Sequence, residues 1–290
     1  MSLPIAKEFS WKANDGVTIF ARELPVDNPR AVMGIIHGLG EHGGRYDELA
    51  DYFREHGIAV LTYDRRGHGR SSGKRGHTPA YSFFLDEVAK LLIECERRYS
   101  DLPVFLFGHS MGGNILLNYL IHRKPRISGA VVSAPHIRLP FEPSPLLIGF
   151  GKLIRSIYPS FSQHNQLDQS KLSRDPAFNA HFDADPLTHD RITSQTALSI
   201  IEKADELDAY DGPLPAPTLI MHGDADALTD FGGSRDFAGR VSGGPVTFRA
   251  WPGLYHDLVN DPEKARVKQF ILEWLEPLMQ KEVHRRAKSV

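Results

Sequence analysis

The 290-residue sequence has only one cysteine and no apolar run long enough to cross a membrane. A lone thiol, Cys95, excludes an intramolecular disulfide, and its neighbours show no metal-site spacing. A transmembrane helix needs about 20 mostly apolar residues, and no stretch reaches that length. The sequence also lacks a large excess of either charge, because its 34 Lys and Arg residues nearly balance its 36 Asp and Glu residues. This balance excludes the basic footprint of a nucleic-acid-binding protein, so we expect no nucleic acid partner.

The start of the chain lacks the charged and apolar regions of a secretory signal peptide, which favours a cytoplasmic location. What is present is 41% hydrophobic and 24% charged residues, the composition of a globular protein. Short apolar runs alternate with helical patterns along most of the chain, at about residues 9–11, 17–22, 32–36, 58–63, 104–107, 130–133, 218–221 and 247–251. This alternation predicts an α/β fold with a mostly parallel eight-stranded sheet and helices on both faces.

The alternation stops between residues 136 and 211. Irregular stretches of that length are rare in compact domains unless they are functional. We therefore predict a helical cap, or lid, over residues 136–211, between core segments 1–135 and 212–290. Its first helix, at Leu146–Tyr158, is mostly apolar, and three roles stay open for it: packing on the core, lining an acyl pocket, or contacting a membrane.

The segment Gly108-His109-Ser110-Met111-Gly112 lies between an apolar strand pattern and a helix pattern. In this context, G-x-S-x-G places a serine on a tight turn with its hydroxyl exposed at the sheet edge. The flanking glycines remove the Cβ atoms that so tight a turn cannot accommodate. Ser110 is therefore the predicted nucleophile, and the Met111 amide is a predicted donor to an oxyanion.

A serine nucleophile needs a base, and the base needs an acid that holds its tautomer. His256 is the predicted base, because it follows the last strand pattern and a glycine-containing turn downstream of an acidic loop. That loop carries both Asp224 and Asp226, and spacing alone leaves the choice of acid open. All of these residues follow strands, at the sheet edge where sites form in α/β folds.

A second oxyanion donor is expected from the glycine-rich loop His37–Gly44, which follows an early strand pattern. Its glycines let the backbone turn its amides toward one point. We predict that the Leu39 amide is that donor.

Five ordered motifs resemble those of the monoacylglycerol lipase group of α/β-hydrolases: the oxyanion loop His37–Tyr46, the loop Asp64–Gly73, the turn Gly108–Gly113, the acid motif Gly223–Asp226 and the pair Tyr255-His256. The resemblance runs through nearly the whole chain. It implies that Asp226 rather than Asp224 is the acid. It also implies a serine esterase that cleaves monoacylglycerols, lysophospholipids or similar single-chain esters, with no metal or cofactor.

We expect two-step acyl transfer through an acyl-enzyme on Ser110. The apolar helix predicts an acyl groove facing Ser110 and transient contact of the cap with a membrane surface; its expected substrate-binding side chains are Leu146, Leu147, Phe150 and Ile154. The alternatives are a short-chain carboxylesterase, a proline iminopeptidase-type peptidase and a non-catalytic binding member. The last is expected to lack a triad residue, whereas this sequence has all of them.

Overall fold

The computed structural model describes residues 3–141, 144–241 and 244–287, with side chains through residue 281. The strands are β1 (Lys7–Lys12), β2 (Thr18–Leu24), β3 (Ala31–Ile36), β4 (Ile58–Tyr63), β5 (Val104–His109), β6 (Gly129–Ser133), β7 (Ser162–His164), β8 (Arg191–Thr193), β9 (Thr218–Gly223) and β10 (Val246–Trp251). The helices are α1 (Asp47–Glu55), α2 (Ser82–Arg98), α3 (Met111–Arg123), α4 (Pro145–Ile157), α5 (Pro176–Ala184), α6 (Ser194–Ala209), α7 (Phe231–Arg240) and α8 (Lys264–Ala287).

The main sheet has the strand order β1-β2-β4-β3-β5-β6-β9-β10. β1 pairs antiparallel with β2, and β2 with β4, whereas the other pairings in this sheet are parallel. The predicted mostly parallel eight-stranded sheet is thus confirmed. The chain turns between β1 and β2 at Gly16, whose φ of 84° lies in the left-handed region that glycine tolerates.

The central strands are apolar on both faces because helices cover both sides of the sheet. In β3, Val32 and Ile36 join the core cluster that includes α2 and α3, whereas Met33 and Ile35 join the cluster that includes α1 and α8. All four side chains are fully buried. Truncating a large buried side chain of this kind costs about 2–5 kcal/mol of unfolding free energy, so the sheet is a firm base for the loops at its edge.

The parallel strands align their carboxyl ends along one edge of the sheet. The loops after β3, β5, β9 and β10 start from that edge. In chain order, these loops carry the glycine-rich segment 37–44, Ser110, Asp226 and His256. The topology therefore gathers residues that lie far apart in the chain.

The insertion between β6 and β9 holds α4, α5 and α6 and a separate antiparallel pair, β7 and β8. The insertion thus contains helices, as the sequence predicts, and in addition a short two-stranded sheet that it does not predict. The two strands have only three residues each, and Ser162-Gln163-His164 has no apolar alternation to mark it. We propose residues 136–211 as the cap and residues 1–135 and 212–290 as the core. Across the described ranges, every helix is too short or too polar to cross a bilayer.

Candidate active site

Ser110 lies on the turn between β5 and α3, with φ 56° and ψ −119°, a conformation that L residues rarely adopt. The Ser110 amide donates to the Ser133 carbonyl at 2.9 Å, which fixes the turn against β6. A Cβ on Gly108 would lie 2.6 Å from the Gly112 carbonyl oxygen, and a Cβ on Gly112 would collide with the Ile36 carbonyl. The turn therefore requires both glycines, as the G-x-S-x-G spacing predicts.

His256 and Asp226 are joined by a hydrogen bond between the loops that follow β10 and β9. His256 Nδ1 lies 2.6 Å from Asp226 Oδ2, and both side chains are buried. An ionised carboxylate can only accept, so Nδ1 carries the hydrogen and Nε2 keeps a lone pair. His256 lines the same pocket as Ser110. Its Nε2 is thereby available as a base for the serine hydroxyl.

The protonation of this pair depends on burial and on charge. Burial alone would lower the pKa of His256, but the Asp226 carboxylate and its hydrogen bond hold that pKa above the usual 6.5. Burial alone would raise the pKa of Asp226, yet His256 and His222 hold it far below its usual range. The acid therefore stays ionised at ordinary pH, and His256 is able to hold a proton during a reaction.

Asp224, the other candidate acid, makes a different contact. Its Oδ1 accepts a hydrogen bond from the Gly253 amide at 2.6 Å, and the residue is exposed. It thus supports the turn that leads to His256. Of the two carboxylates that spacing leaves open, Asp226 is the one that contacts the histidine.

A second histidine, which the sequence reasoning missed, contacts the same carboxylate. His222 Nε2 lies 2.9 Å from Asp226 Oδ2, and its side chain is fully buried. Its Nδ1 lies 2.7 Å from the Ser234 hydroxyl. The Thr229 hydroxyl also donates to Asp226 Oδ2, at 2.9 Å. The available signal was a histidine at the end of a mostly apolar strand, four positions before the acid.

The glycine-rich loop after β3 is held from two sides. Within the core, Glu41 accepts hydrogen bonds from the Gly38 amide and from the Tyr46 hydroxyl, the latter at 2.7 Å. From the cap, the His189 amide donates to the Gly40 carbonyl at 2.8 Å. The loop conformation is therefore set by both the core and the cap.

Leu39 and Met111, the two predicted oxyanion donors, line the pocket together with Ser110. Within the described residues, the Leu39 amide donates to no protein acceptor. Met111 is the first residue of α3, where amides have no acceptor inside the helix. Both amides are therefore available to a developing negative charge, which the positive end of the α3 dipole also favours.

The loop Asp64–Gly73 braces the glycine-rich loop. Asp64 Oδ1 accepts from the Gly43 amide and Oδ2 from the Arg70 amide, each at 2.8 Å. A Cβ on Gly69 would collide with the same carboxylate. The Asp64 carboxylate and Gly69 therefore stabilise the conformation of this loop.

The pocket beside Ser110 is a cavity of about 220 Å³ between the core and the cap. Its apolar lining comes from both parts of the chain and includes Leu139, Leu172, Ile192, Ala197, Ile200, Ile201 and Leu228. Its polar lining includes Glu41, His109, Gln163, Asn165, His189 and Asp257. A pocket of this composition suits a ligand with an apolar chain and a polar head.

Four predicted substrate-binding residues lie away from this cavity. These residues are Leu146, Leu147, Phe150 and Ile154, and none of them lines the cavity. The side chains of Leu146, Leu147 and Phe150 are 86%, 64% and 61% exposed. The reason is that α4 packs on α6, which itself packs on α3. The predicted α4 residues therefore do not line this cavity, to which α6 supplies Ile200 and Ile201.

Two polar atoms in the pocket lining, Asp257 Oδ1 and His109 Nδ1, are buried without a hydrogen-bond partner among the described residues. Burial raises the pKa of Asp257 and lowers the pKa of His109, because it disfavours the charged form of each group. The His109 ring centroid lies 4.7 Å from that of His256. Both atoms are enclosed by protein, so they are unsatisfied polar groups within the wall of the cavity.

The chain is similar to several known proteins. The family model Hydrolase_4, described as serine aminopeptidase S33, matches residues 27–263. A monoacylglycerol lipase from Mycolicibacterium smegmatis is 34% identical over 270 residues, which cover 92% of this chain and 96% of that one. The crystal structure of Paleococcus ferrophilus monoacylglycerol lipase gives a TM-score of 0.82 at 30% identity, covering 90% of this chain and 98% of that one. A soluble variant of Saccharomyces cerevisiae monoglyceride lipase, in complex with a substrate analog, gives 0.82 at 25% identity over 96% of each chain.

Proposed function

The chain belongs to the Hydrolase_4 family of α/β-hydrolases, and from this premise we propose that it cleaves single-chain lipid esters, monoacylglycerols or lysophospholipids, with a serine nucleophile. It is a carboxylic ester hydrolase. The observation that supports a serine mechanism is the 2.6 Å hydrogen bond between His256 and Asp226, in the pocket that Ser110 also lines from its strained turn. Nucleophile, base and acid in this arrangement suit acyl transfer.

In the proposed first step, Ser110 Oγ attacks the ester carbonyl carbon while His256 Nε2 takes the hydroxyl proton. The carbonyl electrons form an oxyanion that the Leu39 and Met111 amides stabilise. When the carbonyl re-forms, the bond to the leaving alcohol breaks and His256 gives its proton to that oxygen. Water then attacks the acyl-enzyme by the same route, and Ser110 regains a proton from His256 as the fatty acid leaves. Asp226 stays ionised and stabilises the imidazolium throughout.

The polar lining favours a neutral polyol head group over a phosphate. Among the described residues that line the pocket there is no Lys or Arg to pair with a phosphate, whereas the acids Glu41 and Asp257 both line it. The side-chain amides of Gln163 and Asn165 also line the pocket and can both donate to and accept from hydroxyl groups. Apolar surface on Ile200 and Ile201 suits the acyl chain, at about 0.8 kcal/mol per buried methylene. We therefore rank monoacylglycerols ahead of lysophospholipids as substrates.

The proposal includes contact of the cap with a lipid surface. Large apolar side chains on α4 are more than half exposed: Leu146, Leu147, Phe150, Leu153 and Ile157. An exposed apolar patch marks an interaction site, and an amphipathic helix can lie in a lipid interface. Serine at Leu147 and Phe150 should reduce co-sedimentation with phosphatidylcholine vesicles while leaving hydrolysis of a dissolved acetate ester intact. Unchanged sedimentation would remove this part of the proposal.

Fluorophosphonate labelling tests the nucleophile. The wild-type protein should be labelled once, at Ser110, and Ser110→Ala should lose both the label and at least about a thousandfold of ester hydrolysis. Ser156→Ala, on the exposed face of α4, is the matched control and should keep both. Stoichiometric labelling of Ser110→Ala at another serine would refute the assignment.

A peptidase of the proline iminopeptidase type is the second candidate, because the matching family is described as serine aminopeptidase. Such an enzyme requires an ionised acid to bind the substrate amine. Asp257 and Glu41 are the acids among the described lining residues. Burial raises the pKa of Asp257, and Glu41 is already engaged by the Gly38 amide and the Tyr46 hydroxyl, so both are weak partners for an amine. Faster turnover of prolyl p-nitroanilide than of p-nitrophenyl esters would reverse this ranking.

A further inference from the structure

The carboxylate of Asp226 lies between two histidine rings. His256 Nδ1 is 2.6 Å and His222 Nε2 is 2.9 Å from the same oxygen, Oδ2. Only His256 belongs to the pocket lining, whereas His222 is fully enclosed by protein. His222 therefore reaches the reaction only through Asp226.

The two contacts of His222 decide which nitrogen of its neutral ring carries the hydrogen. Because an ionised carboxylate only accepts, His222 Nε2 must carry a hydrogen and donate it to Asp226. In the neutral ring Nδ1 then has a lone pair, which accepts the Ser234 hydroxyl hydrogen across 2.7 Å. Ser234 lies on α7 and is fully buried. A fixed helix thus sets which nitrogen of His222 faces the acid.

Asp226 receives more donors than a triad acid needs to orient one histidine. Oδ1 accepts from the Leu228 and Thr229 amides, at 2.7 and 3.1 Å. Oδ2 accepts from the Thr229 hydroxyl at 2.9 Å in addition to the two rings. Each donor spreads the carboxylate charge and makes the oxygen a weaker base. The Leu228 and Thr229 amides are fixed by the loop, and the Thr229 hydroxyl also lies 3.2 Å from His256 Nδ1, so its removal would disturb His256 directly. His222 is therefore the side-chain donor whose contribution through Asp226 is best tested by substitution.

We propose that His222 is a positioning residue that limits the basicity of Asp226 and thereby keeps His256 able to take the Ser110 proton at neutral pH. This inference rests on the proposed function. If Asp226 held the His256 proton more tightly, the ring would stay protonated in the resting protein and could not act as a base. His222 thus influences, through its hydrogen bond to Asp226, the pH below which the reaction stops.

The other charged or titratable groups near these rings do not substitute for His222. His256 is also influenced by Asp257 in its own loop and by Glu41 in the loop after β3. His136, after β6, and His109, at the end of β5, each interact with the His256 charge, and burial lowers the pKa of both. On the far side, α7 presents Ser234 and the edge of the Phe231 ring to His222. Apart from His256 itself, His222 is the titratable side chain among these that is hydrogen-bonded to Asp226.

Two substitutions separate donation from packing. In His222→Gln the side-chain amide nitrogen reaches the position of Nε2 and still donates to Asp226, whereas in His222→Asn it reaches only as far as Nδ1. Both variants keep a buried amide of related size. The readout is the rate of fluorophosphonate inactivation against pH, together with a histidine NMR titration of His256, which needs no substrate.

His222→Asn should move the acid limb and the His256 titration upward by about half a unit to one unit. His222→Gln should stay close to the wild-type midpoint. Ser234→Ala, which frees the His222 tautomer, should move it in the same direction by less, and it serves in place of His222→Asn if that variant does not fold. Unmoved midpoints, with Asn and Gln merely slower to the same extent at every pH, would overturn the proposal. A wild-type protein that is not labelled at Ser110 would instead refute the proposed function.

Discussion

The Tyr46 hydroxyl donates a hydrogen bond to Glu41 Oε1 at 2.7 Å, and the same oxygen accepts the Gly38 amide. Burial raises the pKa of Tyr46 well above its usual value, so the phenol remains a donor at every ordinary pH. One buried phenol thereby helps to hold the loop that presents the Leu39 amide.

Tyr46→Phe removes this donor with little change in volume. We expect kcat to fall about three- to tenfold with KM nearly unchanged, because an oxyanion forms only on the way to the transition state. The unfolding free energy should fall by about 1 kcal/mol. Tyr52→Phe on α1 is the matched control. A loss of stability with an unchanged kcat would mean that the contact is structural only.

Asp226→Asn and Asp224→Asn should differ sharply. Only Asp226 contacts His256, so its amide loses control of the histidine tautomer and should lower kcat by roughly 10³- to 10⁴-fold. Asp224→Asn keeps an oxygen for the Gly253 amide and should change kcat by less than about threefold. The measurement is steady-state hydrolysis of one ester by both variants. Equal losses would reverse the assignment of the acid.

The pH dependence of kcat/KM should show an acid limb above pH 6.5. The proposed reaction needs neutral His256, and its pKa is raised above the usual 6.5 by the Asp226 carboxylate against the opposing effect of burial. A raised pKa means that the base is protonated over a wider acidic range, so activity is lost as pH falls through that value. A limb well below pH 6 would contradict this environment for His256.

The length of the acyl chain should affect kcat/KM through α6. Each methylene that enters the cavity is worth up to about fourfold in kcat/KM, so rates should rise from C2 p-nitrophenyl esters until the cavity is full. Ile201→Ser should flatten that rise and leave acetate turnover nearly intact, because it lines the cavity. Phe150→Ser, on exposed α4, is the control and should keep the slope for dissolved esters. A wild-type maximum at C2 would favour a short-chain carboxylesterase.

The strands of the core could be predicted because the apolar character of their residues reflects burial on both faces of the sheet. Val32 and Met33 are adjacent, point to opposite faces of the sheet and are both apolar, which indicates a strand covered on both sides. The strained turn at Ser110 could also be predicted from the sequence, because the two glycines that it requires lie within two residues of the serine.

The cap could not be predicted to the same depth. Phe150 and Ile201 are both apolar residues in helices, and nothing local distinguishes the exposed one from the one that lines the cavity. Their difference arises from the packing of α4 on α6, a contact between distant segments. His222 was missed for a related reason, because its partners Asp226 and Ser234 are brought to it by the loop and by α7.

The backbone of Ser110 is a point of local frustration in an otherwise consistent fold. A residue held at this positive φ costs about 1–3 kcal/mol that the surrounding sheet must offset. Ser110→Gly should therefore raise the unfolding free energy by roughly 1 kcal/mol while it removes the proposed nucleophile, whereas Ser110→Ala keeps the Cβ and should show no such gain. Chemical denaturation of the two variants measures the difference. The strained turn at Ser110 thus lowers the stability of the fold at the residue that we propose as the nucleophile.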